Sequence, residues 1–145
     1  MQQNVAEPKC ASANNLSGAP VGNYQLTGLT ASEQVSRAIA HAAEAFGVQV
    51  AEITGPRRTK QVCAARHAVA ALCRQNIRVR DRRNGMDRVI AMTVEDIGAA
   101  LGGRDHTTIM NSLVRAASLQ AYDPAFAAAY GRMERAFLAE MGEGL

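Results

Sequence analysis

Two adjacent glycines, Gly102 and Gly103, separate two short stretches whose apolar residues recur with helical spacing. The first stretch begins at Thr93-Val94-Glu95-Asp96, which has the spacing of a capping box, and its predicted core residues are Ile97, Ala100 and Leu101. The second begins at Asp105, a good N-cap residue, and its predicted core residues are Ile109, Leu113, Ala116 and Ala117. Two helices joined by a glycine-containing turn, the first of them short, predict a helix-turn-helix.

Three longer helices are predicted around this motif. Alanine is abundant, aromatic residues are only 4% and Trp is absent, which favours closely packed helices over a β-sandwich. The first helix should begin at the capping box Thr30–Glu33 and end at Gly47. The second should begin after the basic loop 57–60, and the third should begin at Asp123-Pro124 and end at Gly142. Their predicted buried residues are Val35, Ile39, Ala42, Ala43 and Phe46; Val62, Ala65, Val69, Leu72 and Cys73; and Phe126, Tyr130, Met133, Phe137 and Met141. We therefore predict an all-α helix-turn-helix bundle.

Residues 77–92 interrupt this helical pattern. Polar and apolar residues alternate there on both sides of Asn84-Gly85, a strong hairpin signal. A two-residue turn would pair Asp81 with Arg88 and Val79 with Ile90. A solvated basic loop is an equally good interpretation. Elsewhere, residues 1–29 lack periodicity and are predicted to be a flexible arm, residues 30–142 the domain, and residues 143–145 a tail.

Charge is segregated along the chain. The formal net charge is +3, but residues 57–88 hold nine Arg and one Lys against two Asp, a local net of +8 that leaves −5 for the rest. Arginine suits phosphate groups and guanine edges, so this distribution indicates a polyanionic partner.

Several other functions find no support in the sequence. No phosphate-binding G-x-x-x-x-G-K-[ST] motif occurs, Asp105, His106 and Thr107 are consecutive rather than arranged as a triad, and the histidines lack metal-ligand spacing. The three cysteines, Cys10, Cys63 and Cys73, are an odd number without a C-x-x-C, which supports neither a disulfide framework nor a zinc site. Cys63 and Cys73 are interpreted as small buried hydrophobes in a reducing cytoplasm. We expect no enzyme activity, cofactor, metal site or membrane span.

The second helix of the motif offers chemistry for reading bases. Asp105 could accept from a cytosine amine, Asn111 could pair with adenine, and Thr107 or Thr108 could meet thymine, while Arg104 and Arg115 suit phosphate. The competing interpretation is a solvated polar face.

The octapeptide from Gly102 to Ile109 resembles the signature of the C-terminal DNA-binding domain (domain IV) of the bacterial replication initiator DnaA, a Trp-repressor-like helix-turn-helix bundle. The resemblance spans about residues 32–141, interrupted at 77–92, and implies sequence-specific binding of double-stranded DNA. It implies that Arg58, in the basic loop with Arg57 and Lys60, enters the minor groove, and that residues 105–108 read bases in the major groove. The remaining implied contacts are Arg66 and Arg74 on the DNA backbone and Val94 near thymine methyls.

The sequence departs from the family pattern in three ways. Glu95 and Ala65 replace prolines, and the ATPase domain of the family is missing, so we expect no ATP-driven filament. About a dozen extra residues between Gln75 and Thr93 add arginines that could act as a wing over the phosphates: Arg78, Arg80, Arg82, Arg83 and Arg88.

The biological role is open at this point. Similar stand-alone domains are associated with phage-type and gene-transfer-agent regulators, which favours a transcriptional activator in the bacterial nucleoid. Its 1–29 arm or last helix would touch RNA polymerase, a sigma-like factor or another regulatory protein. One alternative is a modulator of replication initiation that binds initiator-type sites. Another is a helical protein-interaction module built on the last helix, with Met133, Met141, Glu134, Glu140 and Glu143.

Overall fold

The computed structural model describes residues 29–82 and 85–143, so nearly all of the predicted arm and tail lie outside the described residues. In this part of the chain, six helices and one two-stranded sheet follow one another. They are α1 (Ala31–Phe46), α2 (Val50–Thr54), α3 (Lys60–Asn76), β1 (Arg78–Asp81), β2 (Arg88–Ala91), α4 (Val94–Ala100), α5 (His106–Tyr122) and α6 (Pro124–Glu143). The predicted all-α helix-turn-helix bundle with a β-hairpin is confirmed. No helix in the described ranges is long and apolar enough to cross a membrane.

Local capping sets the helix boundaries, as the sequence predicts. At the start of α1 the Thr30 hydroxyl accepts from the Glu33 amide, and the Glu33 carboxylate accepts from the Thr30 amide at 2.9 Å. Gly47 ends α1 in the left-handed region at φ 69°, where glycine has no steric penalty. Helix α6 continues one residue beyond the predicted stop at Gly142.

The core is formed mainly by α1, α3 and α6, and it also includes Ile53, Ile97 and Ile109 from the three other helices. Helices α1 and α6 run in opposite directions: Arg37 pairs with Glu140, and Arg132 donates to the Ala45 carbonyl at the other end. The predicted buried residues pack there, and Phe137 is fully buried. Met133 and Met141 are also buried, so the methionine surface required by the protein-interaction alternative is part of the core.

The two internal cysteines differ in their surroundings. Cys73 is fully buried, and burial raises the pKa of its thiol to about 12. Cys63 is only partly buried, so the prediction that both are buried hydrophobes is wrong for Cys63. Its helical position places it toward a surface groove rather than into the core.

The hairpin has the predicted register. Strands β1 and β2 are antiparallel, with Val79 opposite Ile90 and Asp81 opposite Arg88, so the solvated-loop interpretation is wrong. The ladder ends at Asp81–Arg88, and the predicted turn at Asn84-Gly85 lies partly outside the described residues. Asn84 and Arg83 lie outside the described residues.

Hydrogen bonds at its base fix the hairpin to the bundle. The Met92 amide donates to the Ile77 carbonyl at 3.1 Å, which closes the two strands. The Met92 carbonyl accepts from Arg74 Nη1 at 2.6 Å, which ties the residue after β2 to the end of α3. The next residue, Thr93, caps α4, so the hairpin leads directly into the first helix of the helix-turn-helix.

Candidate nucleic-acid interface

The turn between α4 and α5 requires glycine at three positions. Gly102 and Gly103 have φ values of 90° and 78°, which L side chains rarely adopt. A Cβ on Gly102 would also lie 2.2 Å from the Thr54 carbonyl oxygen. Gly98, inside α4, approaches the turn so closely that a Cβ would lie 2.1 Å from the Arg104 carbonyl oxygen. The sequence did not reveal the role of Gly98, because a helical glycine carries no local signal of a close approach.

The first turn of α5 presents four consecutive exposed polar side chains, residues 105–108. Asp105 caps the helix: its Oδ2 accepts from the Thr107 amide at 3.1 Å, and its Oδ1 lies 3.4 Å from His106 Nδ1. The following residue, Ile109, is 1% exposed and anchors the turn in the core. The side chains that the resemblance assigns to base reading are therefore accessible on a fixed backbone.

Further along α5, two more polar side chains are exposed. Asn111 and Arg115 are exposed, while Ala116 on the opposite side is buried. Ala117 was predicted in the core, but it is exposed, because it lies one residue past the buried stripe. The structure thus places Asn111 and Arg115 on the same exposed side of α5 as residues 107 and 108.

Arg66 has an internal role that the sequence did not reveal. It is 6% exposed, and its guanidinium donates to the carbonyl oxygens of Ile53 at 2.7 Å, Glu52 at 2.8 Å and Gly55 at 2.6 Å. Burial lowers its pKa, and the charge of Arg104 lowers it further. Arg66 therefore fastens the end of α2 to α3, where the resemblance had implied a contact to the DNA backbone.

Arg104 joins the same junction from the turn. Its Nη2 donates to the Gly55 carbonyl at 2.6 Å, and its Nη1 donates to the Leu101 carbonyl. Arg104, which the sequence predicts as a phosphate contact, also holds the turn against the end of α2 with its guanidinium.

The basic loop follows this junction immediately. Arg57, Arg58 and Lys60 are exposed, and Arg57 Nε lies 3.5 Å from Glu52 Oε2. The Thr59 hydroxyl caps α3 by accepting from the Val62 amide at 3.3 Å. The loop is therefore short and held at both ends, with its cations in solvent.

A groove of about 330 Å³ connects the loop to α5. Its walls come from the loop, α3 and the helix-turn-helix, and no carboxylate is among the described residues that line it: Pro56, Arg58, Cys63, Arg66, His67, Leu101, Arg104, Thr108, Ile109 and Ser112. The groove joins the two predicted reading elements, Arg58 and Thr108, across a strongly positive surface.

His67 is a second residue whose role the sequence did not reveal. Its Nδ1 lies 3.0 Å from the hydroxyl oxygen of Ser112, so it links α3 to α5. Burial lowers the pKa of His67, and the charges of Arg115 and Arg66 lower it further. A lone histidine on a helix gives no indication in the sequence of such a contact.

Val94 and Arg74 lie near the start of α4. Val94 is half-buried as its first residue, and Glu95 beside it is exposed. Arg74 is exposed overall, but its Nη1 is occupied by the Met92 carbonyl.

The arginines of the hairpin are partly balanced by acidic neighbours. Arg80 Nη1 donates to Asp87 Oδ2 at 2.8 Å, Arg82 Nε lies 3.9 Å from Asp87 Oδ1, and Arg88 pairs with the buried Asp81 at 3.1 Å. Arg78 is half-buried and donates to the Gln75 carbonyl, and burial followed by the charge of Arg74 lowers its pKa. Arg83 lies outside the described residues.

In the described ranges, no three His, Cys, Asp or Glu side chains form a group that could hold a metal ion. The elements and their packing define a helix-turn-helix bundle with a basic groove and an exposed polar turn at the start of the second motif helix.

Comparison with known proteins confirms the predicted resemblance to DnaA. The chain is 28% identical over 103 residues to the chromosomal replication initiator protein DnaA of Acinetobacter baumannii (strain AYE), covering 71% of this chain and 19% of that protein. The DnaA of Nitrosospira multiformis is 30% identical over 83 residues, 57% of this chain and 15% of that protein. The chain thus spans less than a fifth of the length of these curated relatives. No family model matches it.

Proposed function

We propose that this chain binds double-stranded DNA sequence-specifically, reading the major groove with the start of α5 and the minor groove with the basic loop. The observation that carries this proposal is the exposed turn of residues 105–108, anchored by Ile109 beside a groove without carboxylates among its described lining residues. Recognition helices contact base edges with their N-terminal residues. The similarity to DnaA supports the same conclusion.

The proposal gives each residue of the predicted site a role. Asp105, His106, Thr107 and Thr108 contact base edges, with Asn111 further along α5, and Arg58 enters the minor groove. Arg57, Lys60 and Arg115 are exposed cations suited to phosphate oxygens. Arg66, Arg74 and Arg104 act mainly as positioning residues, because their guanidinium groups already donate to main-chain carbonyls. Val94 lies at the start of α4, within the proposed interface.

We further propose that the hairpin is a wing over the DNA backbone. It leads directly into the cap of α4 and carries Arg78, Arg80, Arg82, Arg83 and Arg88. The side chain of Arg82 is 74% exposed, and its ion pair with Asp87 is long at 3.9 Å. An exposed arginine of this kind can exchange a weak intramolecular pair for a phosphate at little cost.

For the biological role we propose transcriptional regulation in the bacterial cytoplasm, as an activator that contacts RNA polymerase, a sigma-like factor or another regulatory protein. The resemblance to stand-alone domains associated with regulators supports this role, whereas the arginine-rich hairpin adds only cations for the DNA backbone. The second candidate is modulation of replication initiation at initiator-type sites. It is favoured by the relatives, which are chromosomal replication initiators.

In vitro selection from a random duplex library, at near-physiological salt, tests both the sequence-specific binding and the biological role. An enriched motif would support base reading, and its likeness to the sites of replication initiators would decide between the two roles. Library enrichment without a motif would overturn sequence-specific reading, and a lack of salt-sensitive retention on duplex DNA would overturn DNA binding altogether.

A further inference from the structure

Helix α5 carries an exposed apolar flank that the proposed reading residues do not explain. Met110 is 52% exposed and Val114 is 68% exposed. They are four residues apart and therefore neighbours on one side of the helix. Arg115 is the only Lys, Arg, Asp or Glu among the 17 residues of α5, whereas soluble surfaces are about a quarter to a third charged. The flank therefore suits a surface that is covered during function.

Met110 continues the row that starts at His106. The two residues are also four apart, so Met110 follows His106 by one turn, about 6 Å further along the helix. Its neighbours one turn away, His106, Thr107 and Val114, are exposed, so the Met110 side chain lies on the solvent side of the helix. If residues 105–108 lie in the major groove of DNA, Met110 is the first large exposed apolar side chain that follows them along the groove.

The chemistry of the major groove offers one apolar partner. Thymine alone displays a methyl group there, while the other base edges present hydrogen-bond donors and acceptors. A methionine thioether makes no strong hydrogen bond, but its unbranched, polarisable chain adapts to small apolar groups. The polar residues 105–108 can read the other edges, and Met110 cannot.

We propose that Met110 is a specificity-determining residue that reads the 5-methyl group of a thymine in the bound site. This inference rests on the proposed function, since it requires α5 to lie in the major groove. It predicts a thymine about 6 Å further along the groove than the base contacted by His106.

Deoxyuridine substitution isolates the methyl group. The probe is the duplex enriched by selection, with each thymine replaced in turn by deoxyuridine. For the wild-type chain one replacement should weaken binding about fourfold, the value of one buried methyl group. Met110→Ala should bind the unmodified duplex about fourfold less tightly and should no longer respond to that replacement. Met110→Leu should keep the response, because it retains an apolar side chain of similar volume.

The matched control is Leu138→Ala. Leu138 is 40% exposed on α6, outside the proposed interface, and its truncation should leave the complete deoxyuridine profile unchanged. The inference is overturned if Met110→Ala keeps the wild-type profile, or if no thymine in the enriched motif responds; the flank would then belong to a protein partner. If no motif is enriched, the proposed function itself is wrong and this inference with it.

Discussion

Arg66 and Arg104 donate hydrogen bonds to the same acceptor, the carbonyl oxygen of Gly55, and Nη2 of each lies 2.6 Å from it. A carbonyl oxygen has two lone pairs and can accept both bonds. The two cations repel each other, and this repulsion contributes to the lowered pKa of Arg66. The carbonyl groups around the two guanidinium groups offset this repulsion. Three segments, the end of α2, helix α3 and the turn before α5, therefore meet at the carbonyl oxygen of Gly55.

Arg66→Ala should therefore act mainly on folding. It leaves the carbonyl oxygens of Glu52, Ile53 and Gly55 without this donor, and buried groups that lose a charged partner cost about 1–3 kcal/mol or more. We expect a decrease of roughly 3 kcal/mol in the free energy of urea unfolding. The control Arg58→Ala removes an exposed cation and should change stability by less than about 0.5 kcal/mol while weakening DNA binding. An Arg66→Ala chain of wild-type stability with reduced DNA affinity would instead support a direct phosphate contact.

Gly98→Ala should destabilise the helix-turn-helix. The added Cβ would lie 2.1 Å from the Arg104 carbonyl oxygen, a main-chain atom that cannot move independently. We expect a decrease in stability of about 1–3 kcal/mol, the usual cost of overpacking. Gly131→Ala, in α6, is the matched control: its Cβ would meet only the flexible end of Arg135 at 3.3 Å, and alanine favours helix by up to about 1 kcal/mol. Thermal unfolding should separate the two variants, and equal midpoints would contradict the close approach.

His106→Ala should relax sequence specificity without affecting the fold. His106 is exposed and its contact with Asp105 is long, at 3.4 Å. We expect binding to weaken by about 1–3 kcal/mol at one base step, seen as a degenerate position when selection is repeated with the variant. Arg135→Ala removes an exposed α6 side chain and should return the wild-type motif. An unchanged motif for His106→Ala would refute its role in base reading.

Removal of hairpin cations should change the salt dependence of DNA binding. Deleting residues 78–89, or mutating Arg82→Gln alone, should flatten the slope of log affinity against log salt by about 0.9 for each phosphate that is no longer neutralised. The Arg135→Gln variant on α6 serves as the charge-matched control for the point mutation. A slope that is unchanged in both hairpin variants would show that the wing does not touch DNA.

The stability of the domain should fall as the pH is lowered through the range below 6.5. His67 has its pKa lowered from 6.5 in the folded state, so the fold favours the neutral ring. Between 6.5 and the lowered value the unfolded chain binds more protons, and protonation therefore favours unfolding. His67→Gln should abolish this part of the pH dependence, measured as urea unfolding at several pH values. His106→Gln, which replaces an exposed histidine, should retain it.

Local signals made much of the fold predictable. The capping boxes, Gly47 and the Asn84-Gly85 sequence signal act within a few residues, so the ends of α1 and the register of Val79 with Ile90 could be read directly from the chain. The exposed turn at residues 105–108 was predicted in the same way.

Contacts between distant segments could not be predicted. Arg66 reaches carbonyl groups 11 to 14 residues away, and an arginine that binds carbonyls looks the same in sequence as one that binds phosphate. The close approach at Gly98 and the contact of His67 with Ser112 likewise depend on how the helices pack. The partial exposure of Cys63 follows from the groove, which exists only in three dimensions.

The shared carbonyl of Gly55 has a mechanical consequence. Because the loop that carries Arg58 and the turn that precedes α5 are fastened to one atom, the distance between the two proposed reading elements is set by the protein. A protein with this fixed distance binds well only to duplexes in which the minor groove and the adjacent major groove are separated by the same distance. Base pairs that no side chain touches should then influence affinity through the local twist and groove width of the DNA.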